Sequence, residues 1–260
     1  MTTSTPQAPA AKPIGIDDIL VTSFVNAELP PAATLKNTAL LLIDIQELAE
    51  PAYMLGNALA AGIPEDEARM ALADYEARFN DALDNAARVL AAARAAGIPP
   101  IHVKIQALSC DGRDTGLLHS RMGWRYPPGV RGTRFLDPTR PNNDEMIITK
   151  TASGAFTGTA LDSTLRNMGI EHLIVVGFMT DECVETTTRV ALDYGYVAKI
   201  VSDATTTYHA ESHRNTISKL GGYGFTQTTD ETLAQLGERI DRADRAGADG
   251  AAEAKRAERG

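Results

Sequence analysis

The sequence predicts an α/β fold, a mainly parallel sheet covered by helices on both faces. Three observations predict it. Short apolar runs of strand length recur along the chain, segments with helical spacing stand between them, and glycines fall where those helices should stop. The 260 residues, 43% of them hydrophobic, suffice for one large core of this kind.

The first run, 38–44 (TALLLID), has the size of a strand buried on both faces. In 75–96, Phe79, Leu83, Ala86, Leu90 and Ala93 share one helical face, and Gly97 is placed to end that helix. Residues 101–105 are the second strand. From Gln106 to Asn143 the chain carries Gly, Pro and Arg with little periodicity, and 146–149 is the third strand. A helix over 161–168 stops at Gly169, the fourth strand is 172–176, and a helix over 183–194 stops at Gly195. The fifth strand is 197–201, followed by a helix over 209–220, a last strand over 225–228 and a last helix over 230–240. Residues 1–14, rich in Ala, Pro and Thr, are expected to be a flexible arm. Residues 15–240 are expected to form a single domain, and 241–260 a low-complexity tail with no apolar stripe to bury.

Lys and Arg total 25 against 34 Asp and Glu, a net charge of -9. That sign repels phosphate backbones and anionic lipid, so neither a nucleic acid nor a membrane is an expected partner. No stretch reaches the roughly 20 apolar residues of a membrane span, and the first residues lack a charged-then-apolar export pattern, so a cytoplasmic location is expected. The two cysteines, Cys110 and Cys183, cannot build a disulfide framework. A lone cysteine is ordinarily a small buried hydrophobe, and Cys110, in an SCDGRD turn, is read that way.

In parallel sheets chemistry sits beyond the carboxyl ends of the strands. That rule selects Asp44, the loop from Gln106, Lys150, the turn from Gly177 to Cys183, and Asp203. Asp44 has two readings, a cap for the segment that follows or an acid held in a cleft. Lys150 is either a solvated strand end or an ammonium that keeps Asp44 ionised. Thr180 and Asp181 are good N-cap types, which places Cys183 in the first turn of a helix. There the free N–H groups and the helix dipole lower a thiol pKa and can hold an oxyanion. A thiol, a carboxylate and a lysine at one sheet edge follow the general logic of covalent catalysis.

The stretches LLIDIQ, KTASGAFTGTALDSTLRNMGI and LIVVGFMTDECVETTTRVALDYGY resemble the isochorismatase-like cysteine hydrolases, which include N-carbamoylsarcosine amidases, ureidoacrylate amidohydrolases and biuret hydrolases. The resemblance implies a doubly wound fold on a six-stranded parallel sheet, assembled as a homodimer or homotetramer. It also implies a catalytic triad of Asp44, Lys150 and Cys183, with an oxyanion hole from the backbone N–H groups of Met179 and Cys183. A cis peptide between Phe178 and Met179 is implied as well. The implied activity is hydrolysis of a C–N bond in a small linear amide, ureide or lactam through a cysteine thioester.

Nicotinamidases of the same group carry an Asp-x-His metal motif after the second strand, where this chain reads VKIQALSCDGRD. No metal or other cofactor is therefore expected, and the helical pair His209 and His213 is read as coincidence. Substrate contacts are expected from Gln46, Gln106, Trp124, Arg125, Arg131 and Phe156. The arginines of this segment, Arg134 among them, suit a carboxylate, and Gln106 an amide or ureide. For Phe156 ordinary core packing is the competing reading. Two other functions remain open: an isochorismatase-type vinyl-ether hydrolase, and a catalytically silent binding protein.

Overall fold

The first strand, β1 (Thr38–Ile43), has the sequence TALLLI and is buried along its whole length. Such a strand needs cover on both faces, which is the condition of the centre of a parallel sheet. The structure is a computed structural model that describes Gly15, Ile19 and residues 32–242; the expected arm 1–14, and the tail beyond 242, lie outside the described residues.

Six strands form one sheet: β1, β2 (Pro100–Ile105), β3 (Met146–Lys150), β4 (His172–Phe178), β5 (Val197–Thr206) and β6 (Thr226–Gln227). Their order is β3-β2-β1-β4-β5-β6 and every pairing is parallel. Chain progression runs outward from β1 through β2 to β3, then returns to β4 on the other side of β1. The crevice where that direction reverses therefore opens above the ends of β1 and β4.

The helices are α1 (Pro51–Ala60), α2 (Glu65–Ala95), α3 (Leu117–Arg121), α4 (Leu161–Asn167), α5 (Glu185–Asp193) and α6 (Ala210–Gly222), with residues 229–242 also helical. Among the described residues no helix is long and apolar enough to cross a membrane. Helix α2 packs on β1, β2, β4 and β5. It buries Phe79, Ala86, Leu90 and Ala93 as the spacing predicts, together with Tyr75, Ala82 and Val89. Phe79 stacks on Phe178 with ring centroids 4.6 Å apart, which fixes the last residue of β4. Gly97 closes the helix with φ 68, the left-handed conformation that costs glycine least.

Three departures from the sequence reading bear on the site and its frame. Helix α2 begins at Glu65, ten residues before the expected start at Tyr75. Of its first ten residues only Ala68 is buried, so that stretch shows no apolar stripe, and Glu65, Asp66 and Glu67 complement the positive end of the helix instead. Strand β5 runs to Thr206 rather than Val201. Asp203 thus lies within the strand and not beyond it, and its carboxylate accepts from the Thr229 N–H (2.7 Å) and hydroxyl (2.8 Å), fastening the last helix. The expected helix start at Cys183 is replaced by a π-helical turn, Thr180–Val184, with α5 beginning at Glu185.

Gly177 sets the closest approach between strands at the crevice. Its φ is +118, and a Cβ built on it would lie 2.0 Å from the Ile43 carbonyl oxygen and 2.7 Å from the Ile43 nitrogen. Both are backbone atoms of β1, one residue before Asp44, and cannot rotate away. Gly177→Ala is expected to destabilise the protein by about 3 kcal/mol or more, through overpacking and a forbidden backbone conformation together. Chemical denaturation checks this; an unchanged midpoint would refute it.

Candidate active site

Asp44 leaves β1 with φ 50, a left-handed conformation that Asp tolerates better than most residues. Its N–H bonds to the Val103 carbonyl (3.0 Å) on β2, and its own carbonyl takes the Gln46 N–H (2.8 Å). The carboxylate caps neither segment. It is turned into the crevice, 2% exposed, with Oδ2 2.8 Å from Lys150 Nζ.

Lys150 is the last residue of β3 and is 1% exposed, so it is not a solvated strand end. Its ammonium has three neighbours: Asp44 Oδ2, the Cys183 sulfur at 3.2 Å and the Ala152 carbonyl at 3.0 Å. Three donors meet three acceptors, which satisfies an ammonium out of contact with water.

Cys183 sits in the π-helical turn and is 2% exposed. Met179, whose carbonyl receives the Glu182 and Val184 N–H groups (both 3.2 Å), precedes that turn, and the peptide bond between Phe178 and Met179 is cis. The expected N-cap is not made. The Thr180 hydroxyl lies 2.9 Å from the Thr205 hydroxyl and 2.9 Å from His213 Nδ1, tying the turn to β5 and α6. His209 is exposed at the start of α6.

The electrostatics follow from burial. Desolvation pushes the Cys183 thiol up to about 12, against the opposing pull of Lys150, the reverse of the lowering expected from a helix N-terminus. Burial likewise raises Asp44, with Lys150 opposing. For Lys150 burial works against the charge, but Asp44 and Cys183 outweigh it and raise the ammonium pKa. Lys150 thus holds its charge between an acid and a thiol that both keep their protons more tightly than usual.

A cavity of about 10 Å³ lies against Asp44 and Cys183, room for roughly one water. Its apolar wall is Leu48, Ala49, Ile105, Trp124, Phe178 and Met179, with Tyr208 and Glu182 completing it. A larger cleft of about 700 Å³ between α2 and α6 shares Tyr208 as a wall.

The other expected contacts are distributed differently. Trp124 lines the cavity. Gln46 is fully buried, its amide spent on the backbone: Ile105 N–H to Oε1 (2.7 Å) and Nε2 to the Ile105 and Gly132 carbonyls (3.1 and 3.4 Å). Gln106 is outside the cavity wall, and its N–H bonds to the Lys150 carbonyl. Arg125 is exposed; Arg131 pairs with Glu47 and Glu50, and Arg134 with Glu47. Phe156 packs between Tyr194 and Tyr196, at ring distances of 5.5 and 5.9 Å. Cys110 is exposed.

Sequence reasoning passed over Tyr208, Glu182 and His119. Tyr208 follows the true end of β5 and would have been selected by the strand-end rule had the strand been read to Thr206. Glu182 stands next to Cys183 in the quoted stretch. His119, on α3, is 1% exposed, and neither ring nitrogen has a hydrogen-bond partner. Its ring lies 5.8 Å from that of Trp124, and burial, then the charge of Lys150, push its pKa down to about 4. No periodicity or motif marks it.

Residues 38–232 match the family model described as the isochorismatase domain. An isochorismatase family protein of Bacillus subtilis, YddQ, is 30% identical over 176 residues, 67% of this chain and 81% of that one. The ureidoacrylate amidohydrolase RutB of Variovorax paradoxus is 34% identical over 90 residues, 35% of this chain and only 33% of that protein. Among solved structures, a cysteine hydrolase from Pseudomonas syringae superposes with a TM-score of 0.65 at 23% identity, covering 81% of this chain and 97% of that one, a likeness of fold.

Proposed function

The chain belongs to the isochorismatase family of hydrolases, and from that membership we propose that it is an amidohydrolase in which Cys183 attacks the carbonyl of a small linear amide, ureide or lactam. One observation carries the reading. A single buried ammonium touches both a carboxylate, at 2.8 Å, and a thiol, at 3.2 Å, beside a cavity.

In this reading Asp44 takes the proton of Cys183 as the sulfur bonds to the substrate carbonyl carbon. Lys150 keeps the pair's total charge balanced wherever the proton sits. The backbone N–H groups of Met179 and Cys183 receive the tetrahedral oxyanion. Protonated Asp44 then gives its proton to the departing nitrogen, leaving a thioester. Water, deprotonated by Asp44, cleaves that thioester and returns the thiol. The raised affinity of Asp44 for a proton makes it a better base toward the thiol than an exposed aspartate. The amide bond type is supported by the ureidoacrylate amidohydrolase match.

A panel of linear amides and ureides assayed for ammonia release tests the proposal. Turnover of at least one member is expected. Pyruvate release from isochorismate with no ammonia from any amide would replace it with ether hydrolysis.

The pH dependence carries a separate expectation. Because the thiol is pushed up to about 12, its free ionisation contributes nothing near neutrality. Activity should rise once, as pH climbs through the raised pKa of Asp44, and then stay level to at least pH 10. A kcat/KM profile that instead climbs through the ordinary thiol range, near pH 8.5, would show that Cys183 ionises independently.

A further inference from the structure

The charges around the cavity do not balance. Asp44 and Glu182 both line it, and the Lys150 ammonium is held by Asp44, Cys183 and the Ala152 carbonyl. Among the described residues the Glu182 carboxylate has neither a hydrogen-bond partner nor an ion pair, although it is more than half removed from solvent. Burial raises its pKa and the neighbouring Asp181 adds to the rise, with the Lys150 charge opposing. No arginine lines the cavity, those of 131–134 being committed to Glu47 and Glu50. Trp124 and Tyr208 line the same cavity. A carboxylate without a hydrogen-bond or ion-pair partner, beside two aromatic side chains and no arginine, favours a cation through charge pairing.

We propose that Glu182 is the specificity-determining residue of this site, and that it selects substrates carrying an ammonium or guanidinium group near the scissile carbonyl over those carrying a carboxylate. The inference rests on the reading of the cavity as an amidohydrolase site and names its substrate class.

The test uses Cys183 as a reporter of charge. In a Cys110→Ser background, which removes the exposed thiol, the protein is treated with 2-aminoethyl methanethiosulfonate or with 2-sulfonatoethyl methanethiosulfonate. Each reagent forms a mixed disulfide with the sulfur and expels methanesulfinate. Rates are followed by intact mass and divided by those for a small free thiol. The cationic reagent should be favoured about tenfold or more, and Glu182→Gln should bring the ratio to within about twofold of unity. Equal corrected rates in the parent, or a preference unchanged in Glu182→Gln, would overturn the proposal; so would protein on which neither reagent acts.

Substrate pairs that differ only in an ammonium or a carboxylate give the second measurement. The ammonium member should have the higher kcat/KM, and Glu182→Gln should lose that preference chiefly through KM of the ammonium member. A role confined to folding would move both members alike. If the thiol keeps its cation preference but no amide is hydrolysed, the amidohydrolase reading fails and the charge selection stands. If amides are hydrolysed without charge preference, the reverse holds.

Discussion

Replacing Cys183 with alanine is expected to abolish turnover, lowering kcat by at least about 10³-fold, while leaving the folded protein intact. Among the described residues that line the cavity, the Cys183 sulfur is the group proposed to bond to the substrate carbonyl carbon and leave from a thioester. Its removal takes one atom from a 2%-exposed position and leaves the 2.8 Å pair of Asp44 and Lys150 in place. The structural cost is therefore small, about 1 kcal/mol for a lost methyl-sized group. Ammonia release and a thermal melt, measured on the same preparation, check both halves. Turnover retained by a properly folded Cys183→Ala protein would refute a covalent intermediate.

Lys150→Met is expected to lose both activity and stability. A buried charge stripped of its partner costs about 3–5 kcal/mol, and Asp44 at 2% exposure would be that charge. Asp44 would relieve the cost by holding a proton, which disables it as a base. For a protein of this size a melting temperature lower by roughly 10 °C follows. The double variant Asp44→Asn, Lys150→Met removes both charges and should recover most of the lost stability with no recovery of turnover. Had Lys150 served packing alone, the double variant would melt no higher than the single one, and the single one would keep its rate when assayed well below its melting temperature.

Much of the fold was legible because its strands are buried on both faces. Continuous apolar runs such as TALLLI have few other uses, and Gly97, Gly169 and Gly195 mark helix ends by a conformation that favours glycine. The first turns of α2 were hidden because they bury almost nothing, so the sequence holds charge but no stripe. The late end of β5 was hidden because DATTT, though buried toward its end, lacks the branched aliphatic residues that announce a core strand. At the site, Asp44, Lys150 and Cys183 were reachable from the strand-end rule. The thiol's environment was not: a helix N-terminus argues for a lowered pKa, and only coordinates reveal that burial reverses the direction. The arginines failed as guides for a related reason. Their partners, Glu47 and Glu50, lie some eighty residues earlier, and nothing local announces them.

The strand order sets a length for one side chain. Lys150 ends β3 and Asp44 follows β1, with β2 lying between them. Two inter-strand steps amount to about 10 Å, a gap that the four-carbon stem of lysine bridges with help from the shorter aspartate. Serine or asparagine hung from the same post would fall short of its mark, and the flat, forked head of arginine would arrive in the wrong shape. The weave of the sheet thus works as a measuring rod. A chain that interlaced its second and third strands the other way round would bring the two posts side by side, and a much shorter residue would then close the span.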